Sequence, residues 1–338
     1  MTKKIMVTGG AGYIGSHMVR LLNQQNHDVV VVDNLSRGNA DVVKDATLII
    51  EDIGNRAGMI DIFKTHKPDA VMHFAAYAYV GESVDHPNLY YANNVTGTLN
   101  LVEAMRETNT NNLVFSSTCA TYGQPDQLPI TESTSQNPIN PYGQSKLMVE
   151  QILSDYAVAY GLRSTALRYF NAAGSAEDGS LGEQHDPETH LLPLILFEAL
   201  RIKNGGNPED TNLKVFGDDF DTRDGTCIRD YIHVNDLGSA HIAAVMRMFD
   251  TPDLGAEQFN LGTNQGYTVL EVIDACRKVT GEDIQFKRIA RRAGDPPELV
   301  ADASLAMKTL GWSPDFADIH LGIQHAWDWF STHPPSKL

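Results

Sequence analysis

The stretch Val7-Thr8-Gly9-Gly10-Ala11-Gly12-Tyr13-Ile14-Gly15-Ser16 decides how the rest of the chain is read. It follows a short apolar run, Lys4–Thr8, and opens a helical pattern over Tyr13–Gln24. Glycines at 9, 12 and 15 let the backbone come close to a pyrophosphate, and the N-terminus of the helix behind them offers free N–H groups and a partial positive charge. The spacing is G-x-x-G-x-x-G, not the plain G-x-G-x-x-G, so the motif gains its weight from the strand before it and the helix after it. Asp33 closes the next β-rich run eighteen residues past Gly15. A carboxylate there accepts ribose hydroxyls and repels a 2′-phosphate, which favours NAD over NADP. Arg37, close by, is a counter-signal.

Outward from this turn the first half alternates. Strand patterns are predicted over 4–8, 28–33, 47–53, 70–75, 112–118 and 163–169, with helices over 13–24, 56–65, 89–107 and 141–160. Continuous apolar runs such as Val29–Val32 suit strands covered on both faces. The alternation predicts an α/β fold: a doubly wound parallel (Rossmann) sheet. After Asn171 a long Gly-, Ala- and acid-rich loop, 172–188, precedes helices over 190–203, 235–249, 269–279 and 321–330, with strands over 213–216, 258–261 and 284–290. Residues 1–175 are therefore read as the nucleotide-binding domain and 176–338 as a smaller mixed α/β substrate domain. Elements near 225–265 are expected to return to the first sheet.

Composition excludes several classes of function. With 26 Lys and Arg against 43 Asp and Glu, the 338-residue chain carries a formal charge of −17, which disfavours nucleic acid or an anionic membrane as a partner. Three scattered cysteines form no CxxC pair, so neither a disulfide framework nor a metal site is expected. No apolar stretch approaches the ~20 residues of a membrane span, and the N-terminal apolar run is too short for a signal peptide. A cytoplasmic location is expected.

The chemistry is read from two places. In Pro141-Tyr-Gly-Gln-Ser-Lys146, Tyr142 and Lys146 are one helical turn apart on one face. A free tyrosine titrates near ~10, and bringing it to ~7 takes about 4 kcal/mol. One cation at ~4 Å and an effective dielectric of ~20 supplies about that much. Alone, such a pair is more often a surface aromatic beside a solvated lysine; the nucleotide turn upstream reverses the balance. The second place is Ser116-Ser-Thr-Cys-Ala-Thr-Tyr-Gly123, a buried strand that ends in hydroxyls and a thiol with no carboxylate.

These motifs together resemble the extended short-chain dehydrogenase/reductase superfamily. Within it, HFAAYAYVGES (73–83), YYANNVTGT (90–98), LRYFNAAGS (167–175), DGTCIRDYIHV (224–234) and RRAGDPPELVADAS (291–304) are similar to the UDP-glucose (UDP-galactose) 4-epimerases and their UDP-pentose relatives. The resemblance runs from about residue 4 to 330. It implies an enzyme in which held NAD takes hydride from C4 of a UDP-sugar and returns it to the other face. Tyr142 and Thr118 would handle the C4 hydroxyl proton, with Lys146 tuning Tyr142 and holding the nicotinamide ribose. The cofactor contacts it implies are Gly9, Gly12, Tyr13, Ile14, Gly15, Asp33, Asn34, Asp52, Ile53, Phe74, Ala75, Ala76, Asn93, Ser116 and Tyr169, beside Tyr142 and Lys146. For the UDP-sugar it implies Asn171, His190, Leu191, Leu213, Phe216, Arg229, Arg292, Asp295 and Leu299, with Thr118 and Tyr142. The arginines would meet the diphosphate and Asp295 the uridine ribose.

Dehydratases of this superfamily place Asp-Glu after the threonine, because eliminating water needs an acid and a base beyond the tyrosine. Here those positions are Cys119 and Ala120. A non-enzymatic NAD-binding protein would lack the tyrosine or the lysine, and this chain keeps both. Ala78 stands where galactose epimerases often carry lysine, and AYVGES is closer to the UDP-arabinose branch, which leaves the sugar open. Relatives with tyrosine at the Leu299 position have a narrow sugar pocket; leucine implies some N-acetylhexosamine turnover. The helices over 89–107 and 141–160 pair in the family as a homodimer bundle, or alternatively serve the core of one chain.

Overall fold

The computed structural model describes residues 2–292 and 295–335, so Ala293 and Gly294 of the last motif lie outside the described residues. Strands β1 (Lys4–Thr8), β2 (Asp28–Asp33), β3 (Thr47–Ile50), β4 (Ala70–His73), β5 (Asn112–Thr118), β6 (Arg163–Tyr169) and β10 (Ala256–Leu261) form one parallel sheet in the order β10-β6-β5-β4-β1-β2-β3. The order reverses between β1 and β4. In such sheets ligands bind in the crevice beyond the strand C-termini at that reversal.

Side chains alternate between the two faces. Ile5, Val7, Val29 and Val31 pack under helices α1 (Tyr13–Gln24) and α8 (Val234–Asp250). Met6, Val32, Leu113 and Phe115 pack under α2 (Arg56–His66), α5 (Thr98–Glu107) and α6 (Pro141–Tyr160). The period of 2 along strands buried on both sides is what a doubly wound sheet requires.

β3 and β4 end earlier than their apolar runs predict. Past Ile50 the chain turns, with Asp52 Oδ1 accepting the Gly54 N–H at 2.7 Å; past His73 it enters the loop of Phe74–Ala76. The single helix predicted over 89–107 is divided into α4 (Pro87–Tyr90), a π-helical turn (Tyr91–Gly97) and α5, preceded by α3 (Val80–Asp85).

Beyond β6, β7 (Asn171–Ala173), β9 (Ile228–His233), β11 (Gly266–Thr268) and β13 (Glu298–Leu299) make a small mixed sheet, and β8 (Lys214–Phe216) pairs with β12 (Lys287–Ile289). Helices α7 (Leu191–Lys203), α9 (Val269–Thr280) and α11 (Ile319–Thr332) share a second core with Leu213, Ile284 and Trp329. The helix α10 (Ser304–Leu310) packs against the first core. Among the described residues, no helix is long and apolar enough to cross a membrane.

Candidate active site

The glycine turn lies at the sheet reversal. Gly9 has φ +75°, and a Cβ there would fall 2.5 Å from the Ala75 nitrogen in the loop after β4. A Cβ on Gly12, in contrast, would meet only the Gly9 carbonyl oxygen, at 3.4 Å. Packing inside the chain therefore does not demand glycine at 12; the bare backbone leaves an open face at the start of α1. That helix has no side-chain cap and no acidic residue in its first turn. The N–H groups of its first turn have no partner within the helix, and an anion fits there.

Asp33 is 8% exposed; its Oδ2 accepts the Ala11 N–H at 3.0 Å and its Oδ1 the Leu35 N–H at 2.8 Å. The carboxylate is thus locked beside the glycine turn. Asp52 accepts from Asn34 Nδ2 at 2.8 Å, and Ile53 is buried in the core. Arg37, the counter-signal for NADP, is committed elsewhere: it pairs with Glu82 at 2.6 Å and lies over the rings of Tyr77 and Tyr79. Tyr13 donates to the Gly174 carbonyl at 2.6 Å, while Ile14 and Phe74 flank the first core. Ala76 follows Ala75 in the β4 loop. These residues fit a dinucleotide with a free 2′-hydroxyl.

At the end of β5 each hydroxyl has a partner. Ser116 Oγ shares a hydrogen bond with Tyr169 Oη at 2.6 Å. Ser117 Oγ donates to Glu150 Oε1. Thr118 Oγ1 accepts the Ala120 N–H at 3.2 Å, capping the turn that follows. Thr118 thus serves the backbone as well as facing Tyr142. Tyr142 is buried at the start of α6, and Lys146, one turn on, donates from Nζ to the Ser116 carbonyl at 2.7 Å.

The expected lowering of Tyr142 by Lys146 does not appear in the protein alone. Burial pushes the Tyr142 phenol well up, only partly offset by a hydrogen bond from Thr118. Burial also pulls Lys146 down to about 7 against the upward pull of Glu150. Both groups are driven toward their neutral forms, because desolvation disfavours either charge. Cys119 is pushed up to about 12 by the same cause, so its thiol stays protonated.

Asn93 Nδ2 donates to Asn94 Oδ1 at 2.9 Å. Asn94 itself accepts the Tyr77 N–H at 2.9 Å and donates to Ser145 at 3.1 Å. The π-helical turn aims this buried amide at both the β4 loop and α6, and an unbroken hydrophobic periodicity gives no sign of it.

On the other side of the crevice, Arg229 Nη2 lies 3.5 Å from Asp295 Oδ1. The Arg292 guanidinium sits 3.7 Å from the centroid of the Phe216 ring. Asn171 Nδ2 donates to the Asp230 carbonyl at 3.1 Å, fixing β7 to β9. Leu299 is directly opposite Arg229 in register and packs with Cys119, Tyr122 and Phe170 under the β5 end. Leu213 is buried in the second core, and Leu191 begins α7 against that core. His190, expected at the phosphates, has its Nδ1 2.8 Å from Glu183 and 3.0 Å from Glu188.

Comparison with known proteins follows the same outline. A UDP-glucose 4-epimerase of Lactobacillus helveticus is 48% identical over 332 residues, covering 98% of both chains. The crystal structure of UDP-glucose 4-epimerase from Brucella ovis in complex with NAD superposes with a TM-score of 0.91 at 48% identity, over 97% of this chain and 98% of that one. A UDP-glucose-4-epimerase from Stenotrophomonas maltophila with bound NAD and formylated UDP-arabinopyranose gives 0.92 at 39% identity, over 98% of both chains. Residues 5–262 match the signature of one family: the chain belongs to the NAD dependent epimerase/dehydratase family.

Proposed function

We propose that the chain is a UDP-sugar 4-epimerase, interconverting UDP-galactose and UDP-glucose on held NAD. The observation that carries this is the acid-free strand end: Tyr142, Lys146 and Thr118 meet there, while Cys119 stays protonated and Ala120 has no polar group. Removing a hydroxyl proton needs one base, which Tyr142 supplies. Elimination of water needs a further acid, and the strand end has none.

The Gly9–Gly15 turn, Asp33 and Lys146 hold NAD, which when bound supplies reversible acceptance of hydride from C4 of the sugar. Tyr142 removes the C4 hydroxyl proton, with Thr118 in the relay, and returns a proton after the 4-keto sugar has turned over. Burial raises the phenol of Tyr142, and the charge of Lys146, together with the positive ring that bound NAD would bring, opposes that rise, one charge at ~4 Å and an effective dielectric of ~20 being worth about 4 kcal/mol. Arg229 and Arg292 meet the diphosphate, since guanidinium forks match phosphate oxygens. Asp295 accepts the uridine ribose hydroxyls. The protein should convert UDP-galactose to UDP-glucose with no cofactor added, read by chromatography. Absence of conversion even with NAD supplied, or appearance of a 4-keto-6-deoxy sugar, overturns the reading.

Leu299 packs in the cluster that contains Cys119, which supports a role for it beside the sugar. We expect measurable conversion of UDP-N-acetylglucosamine, and a loss of about 10-fold or more of that activity in Leu299→Tyr, with UDP-galactose turnover changed less. No turnover of the N-acetyl sugar by an enzyme active on UDP-galactose contradicts the assignment. The exposed Leu89, Leu99, Val158 and Tyr160 on α4, α5 and α6 support a homodimer through these helices. Light scattering giving a monomer mass contradicts it. The three free cysteines suit a reducing cytoplasm.

A further inference from the structure

The loop before α7 carries Glu183-Gln-His-Asp-Pro-Glu-Thr-His190, an E-x-H-x-x-E-x-H spacing that the cysteine-based reading of metal sites passes over. The structure folds all four side chains onto one point. Their nearest ligand atoms lie within 4.8 Å of one another. The Nδ1 atoms of His185 and His190 each stand 2.8 Å from the same oxygen, Glu183 Oε1. Glu188 stands 3.7 Å from His185 and 3.0 Å from His190.

Charge in this cluster can be balanced in two ways. Neutral imidazoles would leave two carboxylates, 6% and 5% exposed, with no counter-charge, a costly burial. Protonated imidazoles balance the two carboxylates, and hold two like charges with ring centroids 5.1 Å apart. Among the described residues no Lys or Arg forms an ion pair with either glutamate. One divalent cation gives the same balance with no like-charged pair: two neutral imidazole nitrogens, two carboxylates and the ion make a site of no net charge. Ligands about 2.0–2.1 Å from a tetrahedral ion are about 3.3 Å apart; each histidine Nδ1 has glutamate oxygens at 2.8 to 3.7 Å, and the four ligand atoms, within 4.8 Å of one another, need only close further on an ion. The shell is also held from behind. Glu188 Oε1 accepts the N–H groups of Thr189 and His190 at 2.6 and 2.7 Å.

We propose that Glu183, His185, Glu188 and His190 form a structural zinc(II) site. Four protein ligands leave no open position, so the ion fixes the loop and takes no part in chemistry. What it fixes is a junction. His185 lies edge-on to Tyr13 of the glycine turn and to Tyr79. Trp329 of α11 donates to the Glu183 carbonyl at 3.3 Å, and Tyr79 to the Pro187 carbonyl at 3.1 Å. The ion therefore ties the wall of the nucleotide turn to the second core.

The test uses the full-length protein, stripped with a chelator and refilled with zinc(II) or cobalt(II). Elemental analysis after desalting should give about one zinc per chain, and cobalt should show the intense visible absorption of tetrahedral coordination. Zinc should raise the melting temperature of the wild type and leave that of His185→Ala/His190→Ala unchanged, with metal content falling at least tenfold in the variant. Retention of equal metal by the double variant overturns the site. If that variant fails to fold, the wild-type cobalt spectrum decides alone, and absence of stoichiometric metal or of a tetrahedral spectrum overturns it. None of these readouts depends on epimerase activity.

Discussion

Tyr142→Phe should lower kcat for UDP-galactose by about 10³-fold while leaving the fold intact. In the proposed reaction the phenol takes the C4 hydroxyl proton. Thr118 already accepts a backbone N–H, and the neighbouring Cys119 thiol, pushed up to about 12, does not ionise near neutral pH. General acid–base groups contribute ~10²–10⁴-fold, and the upper part of that range applies where no other group can substitute. The change removes one oxygen from a ring whose packing against Tyr90 is retained. KM and the melting temperature should therefore move little. Kinetics showing less than a tenfold drop in kcat would assign the proton transfer to another group.

The second large effect is on stability. Glu150→Ala should cost about 3–5 kcal/mol, the range for removing one partner of a buried ion pair. Glu150 on α6 and Arg168 on β6 are both about 4% exposed, and Arg168 Nε donates to Glu150 Oε1 at 3.0 Å. The network continues from Arg168 Nη1 to Tyr122 Oη at 2.8 Å, and from Tyr122 to Asn260 at 2.7 Å. Ser117 and Gln136 donate to the same carboxylate. Deleting Glu150 strands the guanidinium and orphans these donors. Glu150→Ala/Arg168→Met should recover a large part of the loss, because no unpaired charge then remains. Urea denaturation of the single and double variants checks both numbers; a single-variant cost under 1 kcal/mol would mean that water reaches the pair. Activity should fall too, since Ser117 precedes Thr118 and Glu150 lies one turn beyond Lys146.

What the chain discloses in its letters depends on the range of the interaction. Strands buried on both faces announce themselves by continuous apolar runs, so β1, β2, β5 and β6 are found with their observed ends. Helix α6 is found as well, from Asn140 capping Gly143 at 2.8 Å to Gly161 in the left-handed region. The glycine turn, Asp33 and the Tyr142–Lys146 spacing are local and legible. Strands of two or three residues, such as β7, β11 and β13, carry no period and exist only through pairing with β9. The π-helical turn keeps the hydrophobic spacing of an ordinary helix. The Glu150–Arg168 pair joins a helix to a strand, and its members look like ordinary surface charges until the sheet is assembled. His190 stands, as a variant donor, where many relatives resembling this chain carry asparagine; only folding shows that its Nδ1 meets Glu183 and Glu188.

The central claim is that the sugar is oxidised and re-reduced at C4 within one site. It is tested most directly with UDP-galactose deuterated at C4, turned over without added cofactor and analysed by mass spectrometry and NMR. The account predicts UDP-glucose with the deuterium still at C4 and, in a parallel run in heavy water, none incorporated there. Loss of the label to solvent, or a product lacking the C6 hydroxyl, would contradict it.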